Sequence, residues 1–536
     1  MGAGSPFLDR ITLSRRGFLA AVASGVVLGA CIDDGNGGRA DREPIRRPTT
    51  TGPLPRIEGM PFTLGVASGD PRPDSVILWT RLAPEPTAGG GMPDADIPVV
   101  WEVATYDRFR SPAAAGVATA SPAMAHSVHV DASCLDPARD YWYRFRAGDA
   151  ESPVGRTRTT PAEDASPERL RFAFASCQNW QDGFWTPYRH LAEEELDLVV
   201  FLGDYIYESA VNPTAARQHD GPELFDLAQY RNRYGLYKGD AGLQAVHAAA
   251  PWLVTWDDHE VDNNYADDLH EDGDPPEAFL KRRADAYRAW YEHTPVRLEP
   301  PSGPDLEMYR RVGFGDLATF HMLDERQYRS DQPCNSPIDA GPACAELDER
   351  ERTMLGERQE RWLLDGLARP AATWDVLANS VILAQVPIPL GEQEFFNFDQ
   401  WDGYPPARRR LLDRLAERDG GNAGVSTGDI HASGATDLLA DFDDERSKVV
   451  GSELIGTSVS SEFDEALIEV FATAAEAAPW VTYYEARQRG YVRCEMTAEE
   501  LRADFRHVET TATRRSPIAT VSSWAVEAGR PGLQEA

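Results

Sequence analysis

The stretch CQNWQ at residues 177–181 and the stretch VVFLGDYIYE at residues 199–208 are the most informative parts of the chain. A short apolar run, typical of a buried strand, precedes the first stretch and opens the second. Directly after the second run come a glycine, a carboxylate and a phenol, at Gly203, Asp204 and Tyr207. A carboxylate can bridge two cations and a phenolate binds a hard cation, so this order of residues indicates metal-assisted hydrolysis.

The length of 536 residues predicts two domains with appendages, because one hydrophobic core seldom serves so long a chain. A content of 42% hydrophobic and 26% charged residues is typical of a globular protein. The formal net charge of −34 repels nucleic acids and anionic membranes, so we expect no specific nucleic-acid binding. An anionic substrate would need local cations, and bound metals can supply them.

Residues 1–31 are interpreted as a twin-arginine (Tat) signal peptide. Arg15 and Arg16 precede an apolar run at Leu19–Ala30 that is too short to span a bilayer. Leu28–Cys31 resembles a bacterial lipobox, in which Cys31 would carry the lipid; cleavage without lipidation is the alternative. We therefore expect export by the Tat machinery to the periplasm, the extracellular space or the outer face of a membrane.

The remaining chain divides by composition and periodicity. Short alternating runs between Pro, Gly and Asp turns predict an antiparallel β-sandwich of the immunoglobulin or fibronectin III type. Beyond it, strands alternate with amphipathic helices, which predicts a layered α/β domain. The expected segments are a linker at 32–56, the sandwich at 57–160, the α/β domain at 161–510 and a C-terminal extension at 511–536.

Polar side chains follow the predicted α/β strands, where the ligands of such sheets collect. Singly, each has an ordinary explanation, such as a helix cap or a core residue. Together, at least five strand ends carry groups that can bind metals. These residues are Cys177, Asp204, Tyr207, Asp257, Asp258, His259, Glu260, Asp324, Asn379, Asp429 and His431.

The cysteines fit an oxidising compartment. Cys334 and Cys344 lie ten residues apart in a loop-like segment, which predicts a small disulfide-closed loop. Cys134 and Cys494 either pair or remain free thiols, and the sequence leaves both open. Cys177 is then the odd cysteine, which suits a metal ligand.

Six motifs in order identify a resemblance to the PhoD-type alkaline phosphatases and phosphodiesterases, relatives of the purple acid phosphatases. The motifs are ASCQ at 175–178, GDYIYE at 203–208, TWDDHEVDNN at 255–264, LDERQYRSDQPC at 323–334, WDGYP at 401–405 and TGDIHAS at 427–433. The resemblance implies a four-layer α/β/β/α metallophosphoesterase domain behind the sandwich. It also implies hydrolysis of phosphate mono- and diesters with Fe³⁺ and Ca²⁺ as cofactors, other divalent metals being alternatives.

The same resemblance implies the metal ligands. Cys177 and Tyr207 match iron ligands, Asp204 the bridging carboxylate and Asp258 a ligand of the second metal. Asn379, Asp429 and His431 are further expected ligands, the last two with substrate contact as an alternative. Oxygen donors in place of the superfamily's histidines favour a hard cation such as Ca²⁺ at the second position.

The implied mechanism is in-line attack on phosphorus by a metal-bound hydroxide. His259 is expected to protonate the leaving group; the alternative is that it only orders the loop around Asp258. Arg326 and Arg329 either clamp the substrate phosphate or form salt bridges with neighbouring acids. Two other functions stay open: a phospholipid or nucleotide diesterase of the same fold, and a non-catalytic surface binding protein.

Overall fold

The structure is a computed structural model that describes residue 48 and residues 55–536, except 272, 337, 338 and 419–421. The expected signal peptide with Cys31, and nearly all of the expected linker, lie outside the described residues. Among the described helices, none combines the length and the apolar character needed to cross a bilayer.

The strands before residue 160 are β1 Val66–Gly69, β2 Val76–Arg81, β3 Ile97–Ala104, β4 Pro112–Ala120, β5 Ser127–Ala132, β6 Asp140–Ala147, β7 Ala150–Glu151 and β8 Gly155–Arg158. Those after it are β9 Leu170–Ala175, β10 Leu198–Leu202, β11 Trp252–Thr255, β12 Arg310–Phe314, β13 Ala318–Met322, β14 Ala340–Pro342, β15 Trp374–Ala378, β16 Ile388–Leu390, β17 Gln393–Asn397, β18 Ala423–Thr427, β19 Ser433–Leu439, β20 Val449–Ile455, β21 Val481–Glu485, β22 Arg489–Met496, β23 Glu500–Val508, β24 Ile518–Glu527 and β25 Arg530–Glu535. The α-helices are α1 Thr186–Leu191, α2 Leu227–Lys238, α3 Ala241–Ala249, α4 Pro276–His293, α5 Gly356–Leu367, α6 Pro405–Ala416 and α7 Ile468–Ala477.

The large domain has the predicted four layers, and the alternation of side chains along its strands shows why. Odd-numbered residues of β10, Val199 and Phe201, join the core beneath α1 to α4. Its even-numbered residues, including Val200, point into a second core between the two large sheets. Successive side chains of a strand face opposite ways, so a run that is apolar throughout needs cover on both faces. Helices α5 and α6 cover the second sheet in the same way.

The N-terminal sandwich is also as predicted, but one of its two sheets is shared. Strands β3, β4, β6, β7 and β8 form one sheet, whereas β1, β2 and β5 continue the ten-stranded sheet of the large domain. The junction is a parallel pairing of Gly69 with Trp252. A Cβ atom at Gly69 would lie 2.3 Å from the carbonyl oxygen of Pro295, so only glycine permits this close approach.

The opposite edge of the same sheet contains residues that the sequence set apart as a C-terminal extension at 511–536. The order β25-β24-β23-β22-β9 makes residues 518–535 an integral part of the large domain's sheet. Strand β24 pairs along nearly its whole length with β23. The sequence of β24 is only weakly apolar, so it did not predict a strand that pairs with β23 through backbone hydrogen bonds.

The disulfide between Cys334 and Cys344 is confirmed. Cys494 is a free, buried cysteine in β22, whereas Cys134 is disulfide-bonded, so the expectations of a Cys134–Cys494 pair and of two free thiols are both wrong. Cys177 is likewise buried and free, as a metal ligand requires.

Candidate metal centre

The carboxyl ends of the parallel strands bring the predicted ligands to one place. Strands β9, β10 and β11 run parallel in one sheet, and β13, β15, β18 and β20 run parallel in the other. Cys177, Asp204, Asp257 and Asp429 each follow the last residue of a strand by two positions. Because the carboxyl ends of parallel strands share an edge, the two stacked sheets converge on one cleft.

The backbone at these positions adopts a conformation that most residues avoid. Cys177, Asp204, Asp429 and His431 have φ values of 56°, 58°, 60° and 56°. Positive φ is uncommon outside glycine, and clusters of such residues mark sites where geometry outweighs local preference. Gly203, with φ of 108°, completes the turn, since a Cβ atom there would lie 2.4 Å from that of Asp257.

One candidate metal-binding group combines four different kinds of side chain. The ligand atoms of Cys177, Asp204 and His431 all lie within 4.8 Å of one another. The hydroxyl of Tyr207 donates to Asp204 Oδ2 at 2.8 Å and lies 3.2 Å from His431 Nε2. Ser461 Oγ, which the sequence did not single out, lies 2.8 Å from the same hydroxyl. Thiol, carboxylate, phenol and imidazole together fit the iron site that the resemblance implies.

His431 is held in the form that binds metals. Its Nδ1 lies 2.8 Å from the carbonyl oxygen of Glu462, which can only accept, so Nδ1 carries the proton. Burial lowers the pKa of His431 to about 4, so the ring stays neutral near pH 7. Nε2 therefore presents a lone pair toward Tyr207, an arrangement that commonly orients histidine ligands.

A second group is made of carboxylates alone. Ligand oxygens of Asp204, Asp257, Asp258 and Asp429 lie within 4.8 Å of one another. Asp204 belongs to both groups, as the bridging role requires. Its Oδ1 is buried without a hydrogen-bond partner among the described residues, which leaves this oxygen free to bind a cation. The sequence placed Asp257 among the strand-end residues that can bind metals but assigned the ligand role to its neighbour Asp258.

Burial disfavours the anionic forms of several of these groups. Burial raises the pKa of Asp204 well above its usual range, and burial raises that of Asp429 to about 7. Burial, with Asp204 as a neighbour, likewise raises the pKa of the Cys177 thiol and the Tyr207 phenol. Charging these groups together therefore requires positive charge nearby, which Arg326 supplies in part and bound metal ions would complete.

Arg326 and Arg329 are both buried in ion pairs, the alternative to substrate binding that the sequence left open. Arg326 Nε lies 2.5 Å from Asp257 Oδ1, and its Nη1 lies 2.8 Å from Asp399 Oδ1. Arg329 Nη2 lies 2.7 Å from the same Asp399 oxygen. Arg326 also approaches Asp258 Oδ2 at 3.8 Å, so it neutralises part of the negative charge of the four clustered aspartates.

His259 lies at the edge of the centre and has a partner that the sequence did not reveal. Its Nδ1 is 2.8 Å from Glu208 Oε2, and its ring stacks on Tyr207 with centroids 4.1 Å apart. Burial opposes protonation of His259, but the carboxylates of Glu208, Asp258 and Asp204 outweigh it and hold the pKa well above its ordinary value. A charged imidazolium is the form that can give up a proton.

Glu260 ties the two ligand-bearing turns together. Its carboxylate accepts hydrogen bonds from the backbone amides of Asp204 at 3.1 Å, Tyr205 at 2.5 Å and Asp257 at 2.8 Å. The side chain is fully buried. Its contacts are thus with the backbone of the turns, whose positions it sets.

Asn379 directly follows β15, as predicted, and its side chain is hydrogen-bonded to neighbouring residues. Its amide nitrogen donates to Thr427 Oγ1 at 3.1 Å, and its Oδ1 accepts from Trp401 Nε1 at 3.2 Å. A ligand role for Asn379 would use the remaining lone pair of Oδ1 and stays a prediction.

Comparison with known proteins agrees with this geometry. The model of the PhoD-like phosphatase family matches residues 172–505, and that of its N-terminal domain matches residues 49–161. Alkaline phosphatase D of Bacillus subtilis (strain 168) is 44% identical over 496 residues, or 90% of this chain and 83% of that protein. A solved structure titled "Structure of PhoD" superposes with a TM-score of 0.86 at 43% identity, covering 90% of this chain and 93% of the other.

Proposed function

Because the chain belongs to the PhoD-like phosphatase family and is a phosphoric ester hydrolase, we propose that its activity depends on metal ions shared by Asp204 and that it acts on both mono- and diesters. The observation that carries this proposal is the membership of Asp204 in both ligand groups. Family membership and the clustered candidate ligands argue against a non-catalytic binding protein.

Cys177, Tyr207, His431 and Asp204 would hold an iron ion, and Asp204, Asp258 and Asp429 would hold calcium or another hard divalent cation. When bound, such ions neutralise the phosphate ester and lower the pKa of the attacking water. The turns after β9, β10, β11 and β18 fix these side chains before substrate arrives, so little reorganisation is needed during the reaction.

His259 is proposed to protonate the departing alkoxide, with Glu208 orienting its ring through Nδ1. We expect His259→Ala to retain bound metal and to slow the hydrolysis of alkyl phosphates by roughly 10²-fold, the range typical of a general acid. Aryl esters with acidic leaving groups should slow much less, because their leaving groups depart without a proton. Equal slowing of both ester classes would leave His259 with an ordering role only.

The proposed metal dependence is tested by removing and restoring the ions. Chelation should reduce hydrolysis of mono- and diesters to below roughly a tenth, and addition of Fe³⁺ with Ca²⁺ should restore it. Elemental analysis before and after chelation identifies the ions present. Full activity in protein that contains no metal would refute the proposal.

Export is a further part of the proposed function, supported by the order of Arg15, Arg16 and the apolar run before Cys31. We expect the double substitution Arg15→Lys and Arg16→Lys to leave active protein inside the cell. Wild-type protein should partition with membranes, and Cys31→Ser should not, if Cys31 is lipidated. Unchanged export of the double variant would exclude the twin-arginine route.

A further inference from the structure

An apolar cavity lies beside the metal centre. It has a volume of about 50 Å³, enough for roughly three or four methyl-sized groups. Its lining includes Ile430, Ile455, Phe471, Ala475 and Tyr484. The charged residue in that lining, Asp402, is neutralised by an ion pair with buried Arg408. The chemistry of the cavity therefore favours an uncharged, apolar occupant.

The cavity and the metal centre share one short segment of backbone. Asp429 and His431 contribute ligand atoms to the two metal-binding groups, whereas Ile430 between them lines the cavity. Gln400, at the same wall, donates to Asp429 Oδ2 at 2.7 Å. Ile430 and Gln400 are thus the residues at which the cavity adjoins the metal centre.

Helix α7 forms another wall. Phe471 and Ala475 are four residues apart, so they lie on the same face of the helix, and both line the cavity. Ala477, two residues further on, is exposed to solvent. Substitutions on this helix can therefore change the cavity without altering a residue of the metal centre.

We propose that this cavity binds the apolar organic group of the substrate, so that the enzyme prefers phosphate esters of short apolar alcohols, roughly three to five carbon atoms long. The inference rests on the proposed function, because the phosphate must be held at the metal centre. It adds a substrate class to that function: small apolar esters in preference to those with strongly polar alcohols.

The test compares isobutyl phosphate with methyl phosphate, whose alcohols have similar acidity, on the metal-loaded protein. We expect kcat/KM to favour isobutyl phosphate by on the order of tenfold or more, since each buried methylene adds to binding. Ala475→Leu should fill the cavity and bring the ratio near one. The matched control, Ala477→Leu, adds the same side chain at an exposed position of the helix and should keep the wild-type ratio.

A second variant, which enlarges the cavity, keeps the test valid if Ala475→Leu fails to fold. Phe471→Ala should enlarge it and shift the preference toward hexyl phosphate. The inference is overturned if the wild-type protein hydrolyses both esters equally, or if Ala475→Leu and Ala477→Leu change the ratio alike. Hydrolysis of neither ester would overturn the proposed function and this inference with it, so the two failures are distinct.

Discussion

Asp204→Asn is expected to lower metal content and phosphatase activity together, the activity by on the order of 10²-fold or more. The substitution keeps the size of the side chain but removes the charge that both ligand groups share. Asp204 Oδ1 has no hydrogen-bond partner among the described residues, so the loss of charge is not offset there by a protein contact. Elemental analysis and initial rates on the same preparation measure both effects.

Asp375→Asn is the matched control. Asp375 is equally buried but lies near the start of β15, where it pairs with His321 at 2.7 Å and Arg418 at 2.6 Å. Its loss should lower the free energy of unfolding while metal content per folded molecule stays unchanged. If Asp204→Asn retained full metal and activity, or if both variants lost metal equally, the bridging role of Asp204 would be wrong.

Much of the fold was predictable because it depends on local patterns. Runs that are apolar throughout, such as 198–202, predict strands covered on both faces, and they form the two central sheets. Turn composition around Cys334 and Cys344 predicted their disulfide correctly. The sharing of one sheet between both domains was not predictable, because the Gly69–Trp252 pairing joins residues far apart in the sequence.

The candidate site, like the fold, was predictable from the sequence only in part. Strand-end positions located Cys177, Asp204 and Asp429, because the geometry of parallel sheets brings such positions together. The partners of Arg326 lie about 70 residues away in each direction, at Asp257 and Asp399, so sequence could only pose the choice between salt bridge and substrate. The contact between Glu208 and His259 also depends on how two loops fold together.

The central claim is that Tyr207 binds a ferric ion in the group formed with Cys177, Asp204 and His431. A phenolate on Fe³⁺ absorbs visible light by ligand-to-metal charge transfer. Burial keeps the pKa of Tyr207 well above its usual value, so the neutral phenol is the stable form unless a metal cation binds it. The charge-transfer band is therefore a signature that a buried, merely structural tyrosine lacks.

The measurement is the visible spectrum and the iron content of the wild-type protein and of Tyr207→Phe. The ring is buried and stacked on His259, and phenylalanine keeps that packing while removing the oxygen. We predict a coloured wild-type protein containing iron and the disappearance of the band in Tyr207→Phe. A colourless wild-type protein with a full complement of iron, or a band that persists in Tyr207→Phe, would contradict the account.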